Sequence, residues 1–296
     1  MRAAGTDPLL REGYSRCAAI TRQHGTTYYW GVRLLPAERR RHVYAVYALC
    51  RTADDIVDAP GATAPDQVAR TGQRLDDLHD RVLRAHEAGR HTDPVLAVVV
   101  HTLRECGIPL DTLDRFFAAM RQDLTATRYE TWEDLRGYMD GSAAVIGEMM
   151  LPVLRPTTTE AIKPARALGE AFQLTNFIRD VAEDLDRGRV YLPQADLRRH
   201  GADPAARRVT PQWRSFLAEQ VERNRALYRE GDRGLPMLPP ASARCVGTAR
   251  RLYEQILDLV EEADYDVFTR RLVVPTRVKA ATAARALAGV PARGGA

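Results

Sequence analysis

Apolar residues recur at intervals of three and four along almost the whole chain, as in helices that each bury one face. No alternating apolar–polar run long enough for a useful strand interrupts them, so the expected class is all-α. Turn formers divide the pattern. A first helix is expected over 7–23, ending near Gly25, and a long one opens at Pro36 and stops at Ala59–Pro65. A charged helix follows over 66–88, an apolar one from Pro94 to about Cys106, and another from Pro109 or Leu110 to about Thr125. Trp132 to Leu154 reads as one helix, and a central helix capped by Thr159 runs on to Gly188. Amphipathic helices are expected over 211–230 and Ser242–Ala263, with a last one after Pro275. No repeat or long linker divides the chain, so residues 1–296 read as a single domain whose tail, about 283–296, is expected to fray.

Two polar stripes break this apolar pattern. On the central helix Ala171, Leu174, Ile178, Val181 and Leu185 mark a buried face, while Asn176, Asp180 and Asp184, each four apart, form a second stripe with Gln173 beside it. On the long helix after Pro36, Val43, Val46, Leu49, Ile56 and Val57 are the apolar set, and Tyr47, Arg51, Asp54 and Asp58 form the stripe. One acidic stripe is an ordinary solvated face. Two, on separate amphipathic helices, place carboxylates beside buried surface, which is costly unless cations neutralise them. An oxygen-only donor set suits a hard cation such as Mg²⁺, with Mn²⁺ as a substitute, and Mg²⁺ usually shares its shell with substrate phosphate. Asp76, Asp77 and Asp80 alternate with arginines and read as surface ion pairs.

Composition narrows the picture. A formal charge of +4, almost all from arginine since Lys163 and Lys279 are the only lysines, is too small and unpatterned for nucleic acid. Cys17, Cys50, Cys106 and Cys245 are scattered without a CxxC pair, which suggests buried thiols in a reducing cytoplasm. The N-terminus lacks the apolar core of a secretory signal, and no apolar run would span a bilayer.

The motifs HGTTYY (24–29), DDIVD (54–58), YMDGSAAVIG (138–147), AFQLTNFIRDVAEDLDRGRVYLP (171–193) and YDVFTRR (265–271) resemble the squalene/phytoene synthase family over roughly residues 14 to 280, with YMDGSAAVIG most like the bacterial phytoene synthases. The resemblance implies an isoprenoid synthase-type helical bundle around a central apolar cavity. It implies a Mg²⁺-dependent prenyltransferase of carotenoid biosynthesis that joins two geranylgeranyl diphosphates head to head, through a cyclopropylcarbinyl (prephytoene) diphosphate, to phytoene. Metal ligation falls to Asp54, Asp58, Asn176, Asp180 and Asp184, and catalysis to Asp54, Asp58, Asp180, Asp184 and Tyr138. Diphosphate binding falls to His24, Tyr47, Arg51, Gln173, Asn176, Arg179, Arg189, Tyr191 and Arg271, with Tyr47, Tyr138 and Tyr191 as hydroxyl donors and Asp123 a lesser candidate. Phe172, Leu174, Val145, Ile146 and Met149 are expected to line the cavity, bordered by the small residues Gly141–Gly147. Asp55 stands where the family often has Glu. The nearest alternative is a presqualene diphosphate, squalene or dehydrosqualene synthase acting on farnesyl diphosphate. No GxGxxG follows a strand, so NADPH is not expected. A non-catalytic assembly factor is the distant alternative. The expected partner is a prenyl diphosphate, in the cytoplasm, with peripheral membrane contact left open and oligomeric state not legible.

Overall fold

The computed structural model describes residues 7–288, and several helices carry a recognisable start or stop. The first half comprises α1 (Pro8–His24), α2 (Thr26–Val32), α3 (Ala37–Val57), α4 (Val68–Ala88), α5 (Pro94–Cys106), α6 (Asp111–Gln122) and α7 (Trp132–Met139). The second half comprises α8 (Val145–Leu154), α9 (Ile162–Arg179), α10 (Val181–Asp186), α11 (Gln194–His200), α12 (Pro211–Asp232), α13 (Pro240–Glu262) and α14 (Thr276–Leu287). Asp7, Asp93 and Thr210 accept from first-turn amides, and Thr131 with Asp134 closes a capping box. Gly89 and Gly107 end α4 and α5 in the left-handed conformation that glycine adopts without strain. Among the described residues no strand forms beyond a single bridge between Arg128 and Val190.

α9 is the axis of the bundle. It packs against α8, α12 and α13, while α1, α3 and α5 form a second layer and α4 and α6 cover the outside. Its apolar face is as the spacing predicts: Ala171, Leu174 and Ile178 are fully buried.

Four expectations are corrected. The stretch expected as one helix from Trp132 to Leu154 is α7 and α8 joined by a π-helical turn, Asp140–Ala144. Tertiary packing imposes that turn. Gly141 sits so close to α6 that a Cβ there would lie 2.6 Å from the Arg115 carbonyl oxygen. Arg115 and Arg166 both pair with Asp140 and Glu148, stapling the turn's two ends. The central helix is interrupted at Asp180, where the backbone departs from helical angles (φ −98°, ψ 18°) before α10 resumes. Thr158 rather than Thr159 is the cap, of a short 3₁₀ turn that leads into α9. Pro36 precedes the first turn of α3 as its N-cap. At the C-terminus the chain is helical to Leu287, and the rest of the stretch expected to fray lies outside the described residues.

Candidate functional site

One face of α9 lines a cavity of about 690 Å³ along the whole helix. From its N-terminal end the lining residues are Ala161, Pro164, Ala165, Leu168, Gly169 and Phe172, all apolar. The same stripe then continues as Gln173, Asn176, Arg179, Asp180, Glu183 and Asp184. The three-and-four spacing keeps both halves on one face, so the cavity is apolar at one end and polar at the other.

α3 forms the opposite wall of the polar end with Tyr47, Arg51, Asp54 and Asp58. His24, Tyr138, Arg189, Tyr191 and Arg271 complete it, so every site residue named from the sequence reaches this one cavity. The hinge that joins the two walls is Arg189. Its backbone amide donates to the Asp184 carbonyl (2.8 Å) while its guanidinium donates across to Asp58 Oδ1 (3.3 Å). The stretch after α10 is itself tied down, since Val190 N–H donates to the Thr127 carbonyl (2.8 Å).

Both acidic groups sit at helix C-termini, Asp58 as the C-cap of α3 and Asp180 as that of α9. Burial, and then the neighbouring Asp58, pushes Asp54 up to about 7. Burial, and then Asp180, pushes Asp184 up to about 7 as well. Asp180 goes the other way: burial would raise it, but hydrogen bonds and charge from Arg179, then Arg271, hold it below the usual carboxylate range. Arg179 grips it with Nε (2.6 Å) and Nη2 (2.5 Å), and Arg271 with Nε and Nη2 (both 3.0 Å). Arg51 pairs with Asp55 (2.5 Å), and Arg187 with Asp58 (3.7 Å).

Among the described residues no three His, Cys, Asp or Glu side chains converge as a ready metal cage. The donor chemistry nonetheless fits a hard divalent cation: Asp54, Asp58, Asn176, Asp180 and Asp184 offer only carboxylate and amide oxygens. The arginines now stand where its charge is needed.

Tyr138 Oη donates to Asp123 Oδ2 (2.7 Å) and Tyr191 Oη to Oδ1 (3.3 Å). The expected cavity lining is corrected. Phe172 and Ile146 line it, but Leu174, Val145 and Met149 are fully buried core. They lie one or two residues from lining positions, hence on other faces of their helices. Sequence reasoning missed Tyr28 and Tyr253, whose rings meet Phe172 at 5.5 and 4.6 Å between centroids on the cavity wall. It also missed Lys279, buried on α14 with its pKa lowered by burial and then by Arg179. Tyr28 stood in the HGTTYY motif, and Lys279 was one of only two lysines.

A sequence profile of the squalene/phytoene synthase family matches residues 21–278. The chloroplastic phytoene synthase of Daucus carota is 38% identical over 277 residues, covering 90% of this chain and 68% of that protein. Phytoene synthase 1 of Zea mays is 37% identical over 276 residues, covering 90% and 65%. The chain thus spans about two thirds of the length of these plant relatives. Among solved structures, a dehydrosqualene synthase in complex with a ligand superposes with a TM-score of 0.85 at 25% identity, covering 95% of this chain and 97% of that one. The squalene synthase HpnC of Alicyclobacillus acidocaldarius superposes with a TM-score of 0.78 at 33% identity, covering 89% and 98%.

Proposed function

We propose, from the premise that the chain belongs to the squalene/phytoene synthase family, that it is a prenyltransferase of the phytoene synthase type: it condenses two geranylgeranyl diphosphates to phytoene. The single observation that carries this reading is the α9 stripe, which is apolar from Ala161 to Phe172 and diphosphate-binding in chemistry from Gln173 onward. Gln173 to Ala161 spans about 18 Å at the helical rise. An extended carbon chain advances about 1.2 Å per bond, so the fifteen bonds of a geranylgeranyl chain reach about 18 Å and the eleven of a farnesyl chain about 13 Å. The longer chain fills the wall. The shorter leaves apolar surface without contacts. The relatives named phytoene synthase agree with this choice.

Arg51, Arg179, Arg189 and Arg271 grip diphosphate oxygens at the polar end, for which the planar guanidinium is suited. Asp54, Asp58, Asn176, Asp180 and Asp184 would hold Mg²⁺, or Mn²⁺ in its place, and the bound metal supplies positive charge to the departing diphosphate. One substrate loses diphosphate, its allylic cation alkylates the double bond of the second, and loss of a first proton closes the cyclopropane ring. The cyclopropylcarbinyl diphosphate so formed loses its own diphosphate, rearranges and gives up a proton. The apolar wall keeps water from these cations, and the faces of Tyr28, Phe172 and Tyr253 attract them. The final step is proton loss, so the reaction takes no NADPH.

No helix of the described residues is long and apolar enough to cross a membrane. Peripheral contact has support: Val267 to Leu287 contains the exposed Arg270, Arg277 and Arg285 but no acid, and the cavity-lining Val273 is 57% exposed. We place the enzyme in the cytoplasm against an anionic lipid surface. The testing experiment is a product assay with Mg²⁺ and geranylgeranyl diphosphate, without NADPH. Phytoene is expected. Product from farnesyl diphosphate alone would transfer the assignment to the squalene-type reaction.

A further inference from the structure

Asp123 is the C-cap of α6, outside both acidic stripes, yet its side chain reaches the cavity wall while the residue is only 6% exposed. Two phenols converge on it. Tyr138 donates to Oδ2 at 2.7 Å and Tyr191 to Oδ1 at 3.3 Å, and both residues are themselves buried. Arg189 fixes the group from behind: Nη2 donates to the Asp123 backbone carbonyl (3.3 Å) and Nη1 to Tyr191 Oη (3.4 Å). The rings form a stack, Tyr191 on Phe177 with centroids 4.1 Å apart and Tyr138 on Tyr191 at 5.8 Å.

A phenol has one proton and two lone pairs. Because both protons point to the Asp123 carboxylate, and Arg189 Nη1 donates to Tyr191 Oη, what the pair presents to the cavity is chiefly ring faces, with a lone pair at Tyr138. A carboxylate partner also pushes electron density onto each phenol, as charge-assisted hydrogen bonds polarise their donors. We propose that Asp123 is a positioning residue that turns Tyr138 and Tyr191 into an electron-rich wall, against which the cationic intermediates of the condensation are held. This rests on the prenyl condensation argued above. It goes beyond it by naming a residue outside the acidic motifs that fixes the orientation of both phenols. An amide at position 123 could accept only one of the two protons and would donate to the other hydroxyl, reversing it.

The test is Asp123→Asn, Tyr138→Phe and the double variant, assayed in full-length enzyme with Mg²⁺ and geranylgeranyl diphosphate. Wild-type turnover releases two diphosphates per phytoene, and that stoichiometry checks the condensation itself. For Asp123→Asn the expected results are a substrate KM within about twofold, and a kcat lower by about ten- to a hundredfold, the scale of a hydrogen bond to a charged group. Diphosphate release should exceed two per phytoene, because cations lost from the wall are trapped by water. The double variant should be no slower than the slower single one, because both changes break the same contact. Wild-type kcat in Asp123→Asn would overturn the proposal. So would penalties that multiply in the double variant, or a diphosphate-to-phytoene ratio that stays at two. If Asp123→Asn does not fold, Asp123→Glu serves. It keeps the acceptor but moves it, and an unchanged product-to-diphosphate ratio there would equally overturn the assignment.

Discussion

Arg271→Gln is the most informative substitution at the polar end, because Arg271 is placed for two successive roles. In the structure its Nε and Nη2 each lie 3.0 Å from Asp180, with Nε also 3.4 Å from Glu183. It thus occupies a carboxylate proposed to hold metal, and it must leave if a metal is to take that carboxylate. Two unit charges about 4 Å apart interact by about 4 kcal/mol at an effective dielectric of 20. The Arg271 side chain is 49% exposed, which reduces this to about 1 kcal/mol by solvent screening. Removing it should therefore strengthen Mn²⁺ or Mg²⁺ binding by about fivefold in the absence of any diphosphate. The effect on diphosphate has the opposite sign. Losing a bidentate charged donor should weaken inorganic pyrophosphate, in the presence of metal, by about tenfold or more. Isothermal titration of Mn²⁺ with and without pyrophosphate measures both. If Arg271→Gln binds metal no more tightly than wild type while pyrophosphate is unaffected, the exchange of arginine for metal at Asp180 is wrong.

Three further outcomes follow from the geometry. Asp54→Asn and Asp180→Asn should each abolish turnover with an unchanged helical circular dichroism spectrum; Asp54 already rises to about 7, so a neutral isostere costs the fold little. Gly169→Ala should lower the melting temperature by about 5 °C, because its Cβ would lie 2.4 Å from the Ala143 carbonyl beside the π turn; Gly137→Ala, with nothing within 4 Å, should raise it by about 2 °C through helix propensity. His42 sits among Tyr14, His101, Thr102, Arg41 and Arg155, and burial, then Arg41 and His101, lowers its pKa from 6.5 to about 4. The unfolded chain therefore binds the extra proton first, and stability present above pH 6.5 is lost as pH falls towards 4, by about 2 kcal/mol at pH 5. Denaturant unfolding of wild type and His42→Gln at pH 5 and 7.5 checks this, and an equal pH dependence in both would refute it.

The two acidic stripes were legible in the sequence because a helix converts a spacing of four into a shared face, and nothing in tertiary packing altered that. The same rule could not separate Phe172 from Leu174. Both are apolar, and only the position of the neighbouring helices decides that one meets a cavity and the other solid core. The π turn at Asp140–Ala144 was likewise invisible, since it answers to the Arg115 carbonyl on a different helix. The direction of the tyrosine protons could not be read at all. Tyr138 and Tyr191 read as donors, and their acceptor is set only when Asp123, over a dozen residues from either, is brought between them.

The placement of the acidic groups explains why cations must mediate every contact with diphosphate. Helix N-termini offer free amides and a positive dipole end, and they bind phosphate unaided. Here the α3 end that meets the cavity is its C-terminus, equivalent to about half a negative charge, while Asp180 both ends α9 and starts α10. Asp54, Asp58, Asp180 and Asp184 add to that field. A diphosphate entering such a site meets repulsion from backbone and side chains alike. Only guanidinium groups and bound metal reverse its sign. The arginines that now neutralise Asp55, Asp58 and Asp180 cannot at the same time serve a diphosphate fully. On the reading proposed above, metal held by Asp54, Asp58, Asp180 and Asp184 would free arginine for the diphosphate and would supply positive charge to it. Each therefore raises the affinity of the other by the same factor. On that reading ionisation would wait until both are in place, and a reactive allylic cation would form only behind a filled polar end.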